Sequence, residues 1–299
     1  VQAKVGRQET DSYVRLTAGW VSLTVGKRTG LIDYIDIDGQ SMLVDRRSVE
    51  PEFWRAPTDN DYGANLQKKM AVWKNPAMRL QGLDVDGTGD GGARLVATFA
   101  MPEVKATLTM TYVLSPEGAI TVRQQMEADD SAKVADLFRF GVQLQMPGRF
   151  ARIAYHGRGP VENYQDRKTS QFIIMADTTV ASQYYPYVRP QESGNHTDVR
   201  SFAVYDEETG RGLCFESDGP MECSALNYLV EDLDDGPEKV HEWGHHSGDL
   251  VARPLTQVHI QKRQFGLGCV NSWGAVPLRQ YRMPYGDYDF TFRIRPFSK

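Results

Sequence analysis

An all-β protein of antiparallel strands is what this sequence predicts, from three long runs of two-residue alternation, turn signals between such runs, and very little helical period. Ala106, Leu108, Met110, Tyr112 and Leu114 alternate with Lys105, Thr107, Thr109 and Thr111. Phe138, Phe140, Val142, Leu144 and Met146 alternate with Arg139, Gln143 and Gln145, while Tyr288, Phe290, Phe292 and Ile294 alternate with Asp287, Asp289, Thr291 and Arg293. Each pattern gives a strand one buried face and one wet face. Turn signals fall at GKRTG 26–30, DGTGDGG 86–92, SPEG 115–118, PG 147–148 and EETGRG 207–212. One helix is expected from Asn65 as N-cap through Leu66, Met70 and Trp73 to Pro76, and a further short turn at 229–236.

Composition bounds the rest. The 299 residues are 40% hydrophobic and 24% charged, ordinary for a soluble globular protein. Net charge is -5 and no basic run occurs, which argues against a nucleic acid or an anionic membrane as partner. No apolar stretch approaches the length of a bilayer span. Cys214, Cys223 and Cys269 have no metal-ligand spacing and are expected as three thiols. The start VQAKVGRQETD has neither an initiator Met nor an apolar signal core, the look of a cut or processed beginning. Cytoplasm and periplasm both stay open. No linker or repeat divides the chain, which reads as one domain over 1–299 with residues 1–10 loose.

Three polar loops and one glycine-rich loop carry the candidate chemistry. In QFGLGCVNSWGA, residues 264–275, Gly266, Gly268 and Gly274 surround Trp273, so the backbone can bend sharply and offer the indole outward. A flat indole with one N–H donor suits the apolar face of a sugar ring. The same pattern also fits a tryptophan folded into its own core. In FWRAPTDNDYGAN, residues 53–65, Asp59, Asn60 and Asp61 suit either a hard cation or Asx-turns that satisfy the loop's own backbone. HGRGPVENYQDR at 156–167 and YYPYVRPQESGNHTDVR at 184–200 set Glu162, Asn163, Asp166, Arg167, Glu192, Asn195 and His196 among aromatics. That composition fits a sugar-handling cleft or a hydrogen-bonded scaffold. HEWGH at 241–245 spells a zinc-protease helix, but Gly236, Pro237, Gly244 and Gly248 deny it a stable helix, and a loop or strand edge with incidental histidines is expected. No metal site is assigned, and no carboxylate pair can be chosen from spacing alone.

The chain resembles the C-terminal domain, or small chain, of the large β-galactosidases of glycoside hydrolase family 2. The resemblance rests on four ordered blocks: FWRAPTDNDYG 53–63, GRGPVENYQDR 157–167, YPYVRPQESGNHTDVR 185–200 and FGLGCVNSWG 265–274. It departs from the family at Cys269 and Val270, and in a shorter loop after Asp61. It implies a two-sheet antiparallel supersandwich like that of galactose mutarotases, with one or two short helices. It also implies no catalytic residue and no cofactor in this domain, although the parent uses Mg or Na ions. The implied role is accessory: the domain closes one side of a pocket whose carboxylates stand on a separate catalytic barrel, its direct partner. A β-galactoside or other sugar is the implied ligand, and the parent a homo-oligomer.

Trp273, with Asn271 and Ser272 beside it, is the implied substrate contact, and Asp59, Asn60 and Gly63 are secondary candidates. Gly63 is further expected to take a positive φ and let its segment swing. One alternative is a free-standing aldose epimerase with Glu162 or Glu192 as base and His156 or His196 as acid. Another is a carbohydrate-binding or structural module.

Overall fold

The structure is a computed structural model that describes residues 4–239, 245–268, 270–271 and 273–299. Five strands, β1 (Gly6–Glu9), β2 (Tyr13–Ala18), β3 (Val21–Gly26), β4 (Ile32–Ile37) and β5 (Gln40–Ser41), form a small sheet in chain order. β6 (Glu50–Glu52) then crosses to a second sheet of twelve strands. These continue with β7 (Arg79–Gly87), β8 (Ala93–Met101), β9 (Ala106–Leu114), β10 (Ile120–Ala128), β11 (Arg139–Pro147) and β12 (Arg152–Gly159). β13 (Phe172–Thr179), β14 (His196–Tyr205), β15 (Arg211–Leu226), β16 (Leu255–Gln264) and β17 (Tyr288–Ser298) complete the sheet. All strand pairs are antiparallel, as expected; the three alternating runs became β9, β11 and β17. Gly6–Glu9 lies in the stretch expected to be loose, yet pairs with β2 along its whole length.

The sixteen-residue β15 organises the large sheet because it changes neighbour along its length. Residues 211–216 pair with β17, whereas residues 222–226 pair with β16, and the register with β14 shifts in between. Four residues of β15 lie between Glu216 and Met221, the partners of Ser201 and Val199, an irregular bulge that bends the strand. One branch therefore runs β15, β17, β10, β9, β8, β7, and the other runs β15, β16, β11, β6. A contiguous apolar core joins the sheets, with Leu16, Leu23 and Ile35 from the small one and Leu108, Val122, Phe140 and Ile260 from the large one.

The second branch turns polar residues to its other face. One rung across four strands places Glu52, Gly141, Gln261 and Glu222 side by side. The next holds Glu50, Gln143, His259 and Ser224. Alternation marks this face as wet, but loops lie over it, and Arg139, Gln261, Glu222 and His259 are buried.

Helices are few and short. The helix expected from Asn65 is α2 (Leu66–Lys69) followed by a 3₁₀ turn at Ala71–Trp73, and a helix that was not expected, α1 (Asp59–Gly63), precedes it. Asn65 is the N-cap of α2, as expected; it sits in the left-handed region at φ 60 and makes no side-chain cap bond, its carbonyl accepting the Lys69 N–H at 3.1 Å. α1 starts on a capping box, in which Thr58 Oγ1 accepts the Asp61 N–H at 3.1 Å and Asp61 Oδ2 accepts the Thr58 N–H at 2.9 Å. The turn expected near 229–236 is α3 (Val230–Leu233). Among the described residues no helix is long and apolar enough to cross a membrane.

Trp73 closes this helical corner. Its fully buried ring lies 5.5 Å from that of Phe53, and its Nε1 donates to Ala135 O at 2.8 Å. Trp73→Ala should therefore cost about 3–5 kcal/mol, read as a lowered urea midpoint with an unchanged slope.

Candidate functional site

Trp273 is 93% exposed, which decides between the two readings of its loop in favour of outward presentation. Gly268 and Gly274 take φ of 86 and 93, conformations that a β-carbon would strain. Asn271 shapes the tip, where its Oδ1 accepts the Trp273 N–H at 2.9 Å. Asn271 is itself exposed; Ser272 and Cys269 lie outside the described residues.

The base of the loop is fixed by the Arg55 guanidinium, which is fully buried. Nε and Nη2 grip Asp61 at 3.0 and 2.8 Å, while Nη1 donates to Gln264 Oε1 at 3.1 Å and to Phe265 O, and Nη2 donates to Gly266 O at 3.0 Å. Asp166 holds the next stretch, accepting the N–H groups of Leu267 and Gly268, each at 2.9 Å. Asn60 Nδ2 donates to Leu267 O at 3.1 Å. Glu192 accepts from Gln264 Nε2 at 3.3 Å and pairs with Arg139. Polar loops far apart in the chain thus meet under one tryptophan.

Several expected roles change. Asp61 is consumed by Arg55 and the cap, while Asp59 bonds Gln191 and lies 3.4 Å from Arg189. The DND triplet is therefore the first turn of a helix rather than a cation cradle, and among the described residues no group of three or more metal-ligating side chains is assembled. Gly63 takes no positive φ; it ends α1, and its carbonyl lies 3.2 Å from where a Gly274 Cβ would stand. The expected positive φ is therefore not taken, and Gly63 stands at a helix end against the Trp273 loop. Of HEWGH, residues 241–244 lie outside the described residues, and His245 contacts Asp235.

Three of the four epimerase candidates, Glu162, Glu192 and His196, are engaged elsewhere. Glu162 holds Arg167 at 2.7 Å, the Gly194 N–H at 2.7 Å and the Tyr187 hydroxyl. His196 is bonded at Nδ1 to Arg158 O at 2.9 Å and at Nε2 to Gln183 at 2.7 Å, and burial pushes it down to about 4. His156 lies on β12, half-buried. No hydrogen bond joins either glutamate to either histidine among the described residues.

Sequence reasoning missed the polar floor beneath the loops. Burial drives Glu52 upward, but Arg139 at 3.3 Å and His259 at 2.7 Å outweigh it and hold the carboxyl below its usual range. Glu222 has no ion pair among the described residues, and the more distant Arg263 draws it down only in part. It accepts from Gln165 Nε2 and from Asn195 Nδ2 at 3.0 Å, and burial pushes it from 4.5 up to about 7. The folded state thus keeps this proton longer than the unfolded chain; that contribution to stability is complete below about 4.5 and is lost as pH rises through about 7.

Comparison with known proteins places this arrangement. The family described as beta galactosidase small chain matches residues 17–294. A beta-galactosidase of Priestia megaterium is 30% identical over 249 residues, 82% of this chain and 23% of that protein. One from Lactobacillus delbrueckii subsp. bulgaricus is 32% identical over 232 residues, 77% of this chain and 22% of that protein. The chain thus spans less than a quarter of the length of these relatives. A beta-galactosidase small subunit of Latilactobacillus sakei is 26% identical, the match covering 83% of this chain and 84% of that one. Among solved structures, the galactosidase domain of an alpha-galactosidase-sucrose kinase aligns with a TM-score of 0.52 at 10% identity, over 98% of this chain and 42% of that one. At that identity the likeness is one of fold.

The tethers and the tryptophan should separate experimentally. Asp61→Ala strands a buried guanidinium and should cost about 3–5 kcal/mol in urea unfolding. Trp273→Ala removes an exposed side chain and should change stability by less than about 0.5 kcal/mol in the same assay.

Proposed function

The chain belongs to the beta galactosidase small chain family, and from that footing we propose that it is the accessory domain of a retaining β-galactosidase, closing one side of the active-site pocket and stacking Trp273 against sugar. The observation that carries this reading is the indole, 93% exposed on a loop whose backbone is tied down from beneath. An exposed aromatic held by buried ion pairs is prepared for a contact made outside this chain. A sugar ring or aglycone fits, since its apolar face covers the indole while its hydroxyls stay hydrogen-bonded. Asn271 sets the tip's shape beside the contact; Ser272 keeps its place as a candidate contact from the sequence alone.

Catalysis in this reading belongs to a barrel partner. One carboxyl there attacks the anomeric carbon, and the other protonates the leaving oxygen and then activates water. The acids of the present site suit support instead: Glu52, Glu192, Asp61 and Glu162 are each paired with an arginine. The domain contributes shape, stacking and exclusion of water, which count only when the partner has placed the bond to be cut.

A complete parent enzyme tests this. With Trp273→Ala, kcat/KM should fall about tenfold for a disaccharide whose second sugar must stack, on the scale of one aromatic contact, and less for a small leaving group. Equal losses for both substrates would remove the stacking role, and glycosidase activity of the 299-residue chain alone would remove the accessory one.

A further inference from the structure

We propose that Glu222 is a positioning residue that sets the arrangement of the site loops, and with it the placement of Trp273, according to whether it carries a proton. Three segments converge on its carboxyl. Gln165 donates from the 156–167 loop, Asn195 donates at 3.0 Å from the 184–200 loop, and the Gln264 backbone donates from the start of the Trp273 loop. Gln165 adjoins Asp166, whose carboxylate takes the Leu267 and Gly268 N–H groups. Asn195 Nδ2 also donates to Asn163 O at 3.0 Å, tying the two polar loops together. A change at one carboxyl therefore reaches all three.

What sets Glu222 apart from the other buried acids is its partners. Glu52 and Glu192 share Arg139, Asp61 has Arg55, and Asp235 has Arg189, whereas Glu222 is held by amides and has no ion pair among the described residues. Most of the charged groups around it are bonded elsewhere, although Arg263 across the cleft still draws its carboxyl down. From β16, Arg263 donates to Gln280 O and Lys262 to Asp289 O, while His259 is bonded to Glu52. From β14, Asp198 is taken by Arg158 and Lys168, and His196 by Arg158 O and Gln183. Cys223 lies next to it on β15, its thiol pushed up by burial, and Tyr281 lines the same cleft.

As a carboxylate, Glu222 only accepts, which suits the two amide donors. As an acid it must also donate. An acceptor is at hand on Asn195, whose buried Oδ1 has no hydrogen-bond partner among the described residues. Turning that amide, or releasing Gln165, shifts the loop contacts it anchors. Burial places this exchange at about 7.

The proposal deepens the reading of Trp273 as the presented group, and its test needs neither sugar nor barrel, so either idea can fail alone. The 299-residue chain would carry 5-fluorotryptophan and carboxyl-labelled glutamate, the Trp273 signal being assigned with Trp273→Phe and the Glu222 signal with Glu222→Gln. Between pH 5.5 and 8.5, a range of roughly 1.5 units either side of the expected midpoint, the two wild-type signals should titrate together. Glu222→Gln should flatten the Trp273 curve. Gln165→Ala should at least halve its amplitude while Glu222 still titrates. A Glu222 signal that stays flat, or a Trp273 curve unchanged in either variant, overturns the proposal; the Gln165→Ala arm decides the matter if Glu222→Gln does not fold.

Discussion

The site depends on one buried guanidinium. Arg55 has five N–H donors, and each meets an acceptor: two on Asp61, one on Gln264, and the carbonyls of Phe265 and Gly266. A fully buried arginine is tolerated only when its charge is paired and its donors are satisfied. The two carbonyls must therefore point inward, and the loop that follows must leave the body of the protein. The ring of Phe138 lies 4.7 Å beneath the guanidinium and fixes its plane. Lysine, a point charge with three donors, could not hold both carbonyls and a carboxylate in this geometry. Presentation of Trp273 thus rests on ion-pair burial more than 210 residues earlier in the chain, just after β6 at the end of the large sheet's second branch.

Much of the fold was legible because alternation is a local signal. Phe140, Val142, Leu144 and Met146 announce a strand wherever it goes in space, and they are buried as β11. The same rule misled about the other face. Arg139 sits where alternation marks solvent, yet it is fully buried, because loops from 53–63 and 184–200 cover that face. Which face a loop will cover is a tertiary fact with no sequence period. The helix expected from Asn65 starts there, but it ends at Lys69 and the chain goes on to Trp73 as a 3₁₀ turn, a break that the apolar spacing does not reveal.

The candidate site was legible in part. Trp273 stood out by its glycines, and the polar loops by their composition. Their roles did not. Asp59, Asn60 and Asp61 look like cation ligands in sequence, because helix-capping acids and metal-ligating acids are the same residue types; only the pairing with Arg55 separates them. Glu222 gave no signal at all, being one acid in a strand whose neighbours, Gln165 and Asn195, lie far off in sequence. A buried acid held by amides becomes visible only when its burial is known.

These features describe a domain that invests its buried charges in holding one exposed aromatic still. The most direct measurement of that claim mixes the purified chain with the catalytic part of a family β-galactosidase that lacks this domain, and follows lactose hydrolysis as the ratio is raised. The account predicts that neither component hydrolyses lactose alone, and that activity rises to a plateau at equimolar mixing. A catalytic part fully active without the chain, or no gain on mixing despite a stable complex, would contradict it.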